Sequence, residues 1–149
     1  MDRDRLQREI DALSKKYHIV PNQELQGYEL RDFNYPDGWV LVNRERWRRR
    51  DGGGVPRGPG NVAPLLVRIP DAYPSAQPYA YIPRDMRHTE REISHVIRTE
   101  FEDWWLWCVH DIDWRPGNQK STLPKFLQLM QLSFSRPDLS DPIAEGFTE

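Results

Sequence analysis

The chain of 149 residues has a single cysteine, Cys108, and this excludes an intramolecular disulfide framework and any zinc site built from several cysteines. The chain also lacks a long apolar run, and none of its segments approaches the roughly 18 residues that a membrane-spanning helix needs. Its first residues, Met1-Asp2-Arg3-Asp4-Arg5, have no apolar core of the kind found in signal peptides. We therefore expect a cytoplasmic protein that makes no contact with a membrane.

Neither sign of charge is in excess, because 21 basic and 23 acidic side chains leave a formal net charge of -2. This balance gives no default reason to expect nucleic-acid binding. The length and the 38% of hydrophobic residues suit one domain with one hydrophobic core. We expect residues 1–149 to form a single domain.

Two segments have apolar residues at helical spacing. Over residues 4–17 an apolar side chain recurs every three or four positions among basic ones, which predicts an amphipathic helix. The same period returns over Leu123–Phe134, where Ser121 or Thr122 is suited to the N-cap and Pro124 to the first turn. These two segments are the predicted helices at either end of the domain.

Four segments between the helices are rich in residues that favour strands. Residues 28–33 and 39–43 flank the turn-forming residues 34–38, so they predict a β-hairpin. Two further apolar runs, residues 63–69 and 79–82, are separated by a proline-containing segment that cannot pair regularly. In sequence order these four strands predict an antiparallel meander.

The remaining segments complete the predicted fold. Thr89-Glu90-Arg91-Glu92 fits a capping box and predicts a short helix, and the arginine- and glycine-rich residues 48–61 predict a mobile exposed loop. The predicted fold class is α+β, because helices and strands are segregated along the chain. It consists of an N-terminal helix, a four-stranded antiparallel meander and a long helix packed on one face of the sheet.

Cys108 is the one strong nucleophile in the chain. His110 follows two residues later, so in an extended segment both side chains would point to the same side. His110 is then a candidate base or orienting group for the thiol. The alternative is that Cys108 is a small buried hydrophobic residue among its aromatic neighbours.

Histidines and arginines raise two further alternatives. Cys108 and His110 could bind a zinc ion together with His88 and His95, although these spacings match no familiar zinc motif. The arginines of residues 44–50 surround Trp47, a combination that can attract phosphates and stack on a base. We favour a solvated end of the hairpin for that cluster, and expect no metal, no cofactor and no nucleic acid.

Four segments in order also follow the pattern of a known family. They are Ile69-Pro70-Asp71-Ala72-Tyr73-Pro74 with Pro78, Cys108 with the downstream Trp114-Arg115-Pro116, the helix Leu123–Phe134, and the closing residues Arg136–Ile143 that contain Asp141-Pro142. This order resembles the ubiquitin-conjugating enzymes, particularly their compact bacterial and archaeal members. In that family the first segment is a Tyr-Pro-x-x-x-Pro stretch and the cysteine is the active-site residue.

The resemblance implies a fold and a transfer reaction. It implies that Cys108 accepts the C-terminal carboxyl of a ubiquitin-like protein from an activating enzyme, holds it as a thioester and passes it to an amine. Asp141 would be the carboxylate that faces the thiol and assists the attacking amine. The family's His-Pro-Asn, whose Asn supports the oxyanion, is absent here. The donor would have to be His110, Asn118 or a backbone amide, or be missing.

The resemblance also implies partners. The basic side chains of the first helix, Arg5, Arg8, Lys15 and Lys16, would dock the activating enzyme, and a ligase or target protein would complete the reaction. The rival interpretation is a catalytically inactive module of the same superfamily, of the RWD type, that binds a ubiquitin-like protein or a ligase without chemistry.

Overall fold

A computed structural model describes residues 1–49, 60–93, 96–108, 112–115 and 121–138. Within these residues no helix has both the length and the apolar character needed to cross a membrane. The elements in chain order are α1 (Arg3–Ser14), β1 (Ile19–Asn22), β2 (Gly27–Asn34), β3 (Trp39–Leu41), α2 (Arg44–Arg49), β4 (Val62–Arg68), β5 (Tyr79–Pro83), β6 (Met86–His88), β7 (Val96–Ile97), β8 (Trp104–Trp107) and α3 (Leu123–Phe134).

The strands form two sheets. Six of them form an antiparallel sheet in the order β1-β2-β4-β5-β8-β7, and β3 pairs with β6 in a separate two-stranded sheet. The fold is α+β, but the predicted four-stranded meander with a long helix is wrong. The sheet has more strands than predicted, and α3, at 12 residues, is no longer than α1.

The predicted hairpin between residues 28–33 and 39–43 is also wrong. Both edges of β2 are taken, one by β1 and the other by β4, so β3 has no edge of β2 to pair with. The turn that follows β2 contains Gly38 at φ +99°, a conformation that favours glycine, and it directs Trp39 to pair with His88 of β6.

The short helix predicted after Thr89 does not form in the described residues. The side-chain Nδ1 of His88 accepts hydrogen bonds from the backbone N–H groups of Glu90 (3.1 Å) and Arg91 (3.0 Å). These amides are therefore satisfied without a helical turn, which removes the need for the predicted cap. The chain goes on to β7, the outermost strand of the large sheet on that side.

The predicted loop of residues 48–61 is described only at its two ends. Residues 48 and 49 belong to the last turn of α2. Residues 60 and 61 form a turn before β4, where the side-chain amide of Asn61 donates to the backbone carbonyl of Tyr35 at 2.7 Å. Residues 50–59 lie outside the described part of the chain.

The two predicted terminal helices are confirmed, and local interactions explain where they start. The side chain of Asp2 accepts from the backbone N–H of Arg5 at 3.0 Å, and the side chain of Thr122 accepts from that of Lys125 at 3.3 Å. Both are N-caps that satisfy an otherwise unpaired amide. The predicted Pro124 lies in the first turn of α3, where its missing N–H costs nothing.

An aromatic cluster joins α3 to both sheets. The ring of Phe134 in α3 lies 4.9 Å from the ring centroids of Tyr35 and Trp107 and 5.5 Å from that of Trp39. The indole N–H of Trp39 also donates to the backbone carbonyl of Phe134 at 2.7 Å. Because such rings bury 150–250 Å² each, this cluster is a major contributor to core stability.

A carboxylate holds α1 against the other end of the chain. Glu9 accepts hydrogen bonds from the Tyr73 hydroxyl and from the backbone N–H of Leu123, the latter at 3.2 Å, and lies 3.5 Å from the guanidinium of Arg5. Arg5 in turn donates to the backbone carbonyl of Ser121. Tyr73 is thus fixed between α1 and the start of α3.

Two buried phenols predict a loss of stability at alkaline pH. Burial raises the pKa of Tyr35, and burial together with the hydrogen bond to Glu9 raises the pKa of Tyr73. In the unfolded chain each phenol would lose its proton near pH 10, whereas in the folded chain it stays protonated. The stabilisation is therefore fully present below about pH 10, and above it is lost at about 1.4 kcal/mol per pH unit and phenol.

Urea unfolding between pH 9 and 11.5 measures this dependence. We expect Tyr73→Phe or Tyr35→Phe to remove one phenol's share of the slope and the double variant to remove both shares. A double variant with the slope of the original protein would contradict the assignment. The comparison is internal, since every variant keeps all the other titratable side chains.

Candidate functional site

The position of Cys108 is set by β8, since it is the first residue after that strand. β8 pairs with β5 on one side and with β7 on the other, and Trp107 lies opposite Ala80 and Val96. The indole N–H of Trp107 donates to the hydroxyl of Ser133 in α3 at 2.9 Å. Because the preceding residue is buried and anchored, the backbone at Cys108 is held at the end of a fixed strand.

Cys108 is partly exposed and lines a cavity of about 230 Å³. The walls are mostly apolar and come from the start of β5, the end of β8, the following segment and α3. They are formed by Gln77, Pro78, Tyr79, Ala80, Leu106, Trp107, Cys108, Ile112, Phe126 and Met130. The volume is below the 300–1,000 Å³ of typical small-molecule sites, so the cavity suits a narrow group better than a bulky cofactor.

The segments before and after Cys108 are connected to each other. Trp114 is half-buried, and its indole N–H donates to the backbone carbonyl of Pro74 at 2.6 Å. Its ring centroid lies 6.0 Å from that of the buried Tyr73. Tyr73 is buried in the core and Trp114 packs against it, and both support the wall of the Cys108 cavity that contains Pro78.

Three of the four predicted catalytic residues lie outside the described residues. Cys108 is described, but His110, Asn118 and Asp141 are not, and neither is Pro116. The predicted pairing of the thiol with His110 and the predicted approach of Asp141 stay predictions. The cavity neighbours Phe126 and Met130 were predicted only as buried positions of a helix.

Of the three histidines considered as zinc ligands, only His88 lies in the described part of the chain. His88 is committed to the backbone amides of Glu90 and Arg91, and its ring makes an edge contact with Trp39 at 5.8 Å. In the described part of the chain no three His, Cys, Asp or Glu side chains converge as metal ligands. His95 and His110 are not described.

The arginine-rich residues 44–49 form α2, so the predicted solvated hairpin end is wrong. Trp47 is only 1% exposed, its N–H donates to Asp85 at 2.8 Å, and its ring contacts Trp104. It is not available to stack on a base. Arg44 donates to the backbone carbonyl of Val62, and Arg46 pairs with Asp103.

The basic side chains of α1 divide into two groups. Arg5 is half-buried and contacts Glu9 and Ser121, so it helps to hold α1 against the start of α3. Arg8, Lys15 and Lys16 are exposed and remain candidates for the predicted docking of an activating enzyme.

The cavity beside Cys108 could not be predicted from the sequence, and the reason is physical. Its walls meet only because β8 pairs with β5, and β8 was not predicted: Trp104–Trp107 is apolar throughout and shows no alternation with polar residues. Chain comparisons with protein-family models, with curated proteins and with solved structures find no match.

Proposed function

We propose that this protein is a transferase that carries a ubiquitin-like protein on Cys108 as a thioester and passes it to an amine. The observation that carries the proposal is the position of Cys108, partly exposed on the wall of a cavity shared with Pro78, Phe126 and Met130. Three of the segments that resemble ubiquitin-conjugating enzymes line this cavity or support its wall. A thiol sealed in the core would have argued against a carrier.

The proposed reaction has two balanced steps. The Cys108 thiolate attacks the carbonyl carbon of the modifier's thioester with an activating enzyme, a new C–S bond forms, and the activating enzyme's thiolate leaves. A neutral amine then attacks the Cys108 thioester, an amide bond forms, the Cys108 thiolate leaves, and the amine's surplus proton passes to a base. The apolar walls favour the neutral amine over its ammonium form.

The geometry of the cavity suits the end of an extended chain. A modifier that ends in glycine presents a narrow tail, and a tail without side chains can approach a thiol that neighbours Tyr79 and Trp107. Positioning of the two reacting groups supplies much of the rate of such transfers, since a thioester is already reactive. The residues that would complete the site are His110, Asn118 and Asp141, which stay proposed members.

The test uses a synthetic peptide that ends in Gly-Gly and carries a mercaptoethanesulfonate thioester. We expect the folded protein to take up the peptide as an adduct that dithiothreitol reverses, and Cys108→Ala to abolish it completely. Intact-mass spectrometry measures the adduct, and Cys108 is the only cysteine, so the assignment is unambiguous. Cys108→Ser should yield a dithiothreitol-resistant oxyester.

The matched control is the same protein unfolded in urea. A positioned thiol should react at least about tenfold faster in the folded chain than in the unfolded chain, after correction for the effect of urea on a model thiol. Equal rates would reject the carrier. If the folded protein then binds an intact ubiquitin-like protein without forming an adduct, the inactive RWD-type module is the better description.

A further inference from the structure

A second cavity, of about 460 Å³, lies at the β7 end of the large sheet, and we call it the arginine groove. Arg87 comes from β6, Arg98 follows β7, and Trp105 belongs to β8. Arg91 lies between β6 and β7 and completes the cationic part of the wall. The chain from β6 to the residue after β7 thus brings three guanidinium groups to one opening beside Trp105 of β8.

Among the described residues that line the groove, cations outnumber carboxylates. The wall contains three arginines and one carboxylate, Glu92. Among the described residues, Arg87 and Arg98 have no carboxylate within ion-pair distance, and Arg91 lies 3.7 Å from Asp138. Arg87 donates to two backbone carbonyls, which hold its guanidinium in place without cancelling its charge. The groove therefore offers a positive field in a protein whose net charge is -2.

The ring of Trp105 contacts two of the three guanidinium groups. The guanidinium carbon of Arg98 lies 5.1 Å from the centroid of the Trp105 ring, and that of Arg87 lies 5.9 Å from it. Cation–π contacts of this kind restrict long side chains and so reduce the entropy lost when a ligand binds. The two arginines are exposed and are held near one another before any ligand arrives.

The ligand chemistry follows from these contacts. Guanidinium groups pair with carboxylates through two parallel hydrogen bonds. Nucleic acid fits less well, because the Trp105 ring is already occupied by arginines and three cations fall short of the roughly 6–10 phosphate contacts of typical DNA binders. The exposed Ile97 of β7, at the end of the sheet, offers an extended chain an apolar contact and a strand to lie beside.

We propose that the arginine groove binds an extended acidic segment of a partner protein, with carboxylates paired to Arg87 and Arg98. The proposal does not depend on the chemistry of Cys108.

The experiment measures fluorescence anisotropy of a fluorescein-labelled octapeptide of alternating Glu and Val at low salt. We expect the double variant Arg87→Gln/Arg98→Gln to bind at least about tenfold more weakly than the original protein. The matched control, Arg3→Gln/Lys125→Gln, removes the same charge from exposed positions of α1 and α3 and should change binding less than twofold. A peptide with Gln in place of Glu should not bind.

A charge-retaining variant separates binding from folding. Arg87→Lys/Arg98→Lys should keep most of the affinity, and thermal unfolding of each variant shows that the fold is intact. An equal loss in the Arg3→Gln/Lys125→Gln control would overturn the proposal, since general electrostatics would then explain binding. Stronger binding of an eight-nucleotide thymidine strand than of the acidic peptide would also overturn it. Cys108→Ala should leave peptide binding unchanged.

Discussion

Replacement of Trp39 by alanine is expected to lower the free energy of unfolding by about 3–5 kcal/mol. The indole is 2% exposed and contacts the rings of Tyr35, Trp107 and Phe134, which come from three different parts of the chain. Alanine would leave a large void at the junction of both sheets with α3, and surrounding rings can collapse into it only in part. It would also leave the Phe134 carbonyl without the indole donor.

Urea unfolding followed by circular dichroism measures this loss. Trp39→Phe keeps most of the ring contacts and removes the hydrogen bond, so it should cost about 1–3 kcal/mol. Val42→Ala, at a side chain that is 64% exposed in the same stretch of chain, should change stability by no more than about 0.5 kcal/mol. If Trp39→Ala cost as little as Val42→Ala, the aromatic cluster would not be the centre of the core.

The second large effect is expected at Gly27, the first residue of β2. A Cβ atom there would lie 2.2 Å from the backbone oxygen of Val67 and 2.9 Å from the Cα of Arg68. Both are backbone atoms of β4, so no side-chain rotation relieves the clash, and the strands would have to separate. We expect Gly27→Ala to destabilise the protein by about 3 kcal/mol, at the upper end of the usual cost of overpacking.

Gly60 provides the matched control for this prediction. The nearest atom to a Cβ at Gly60 is a methyl group of Val40 at 3.5 Å, which is an ordinary van der Waals contact. Gly60→Ala should therefore be neutral or slightly stabilising, since alanine restricts the unfolded chain. The two variants are to be compared by their urea midpoints at equal slope. A neutral Gly27→Ala would show that Gly27 of β2 does not lie opposite Arg68 of β4.

How far the sequence could predict the fold depends on the element. The two terminal helices were predictable because apolar spacing, caps and the position of Pro124 all agree locally. The pairing of β3 with β6 was not, because the turn at 34–38 has the chemistry of a hairpin and nothing local reveals that β4 occupies the edge of β2. Competition between strands for one edge is a property of the whole chain.

The residues of the candidate site also differ in whether the sequence alone could predict them. Cys108 was predictable as the only strong nucleophile of the chain. The walls that Phe126 and Met130 provide were not predictable as parts of a site, since a helix face looks the same wherever it packs. The arginine groove was not predicted either: its three arginines lie close together in sequence, but Trp105, against which two of them pack, joins them only because β7 pairs with β8.

The contacts of Glu9 with Leu123 and of Arg5 with Ser121 have a consequence for biosynthesis. They join residues that are separated by 114 and 116 positions, so α1 cannot reach its final place until α3 has left the ribosome. Contacts of such long range also slow folding, because the chain must close a large loop before they form. Although α1 is synthesised before α3, it is therefore among the last elements to dock, and its apolar side stays available to chaperones until then.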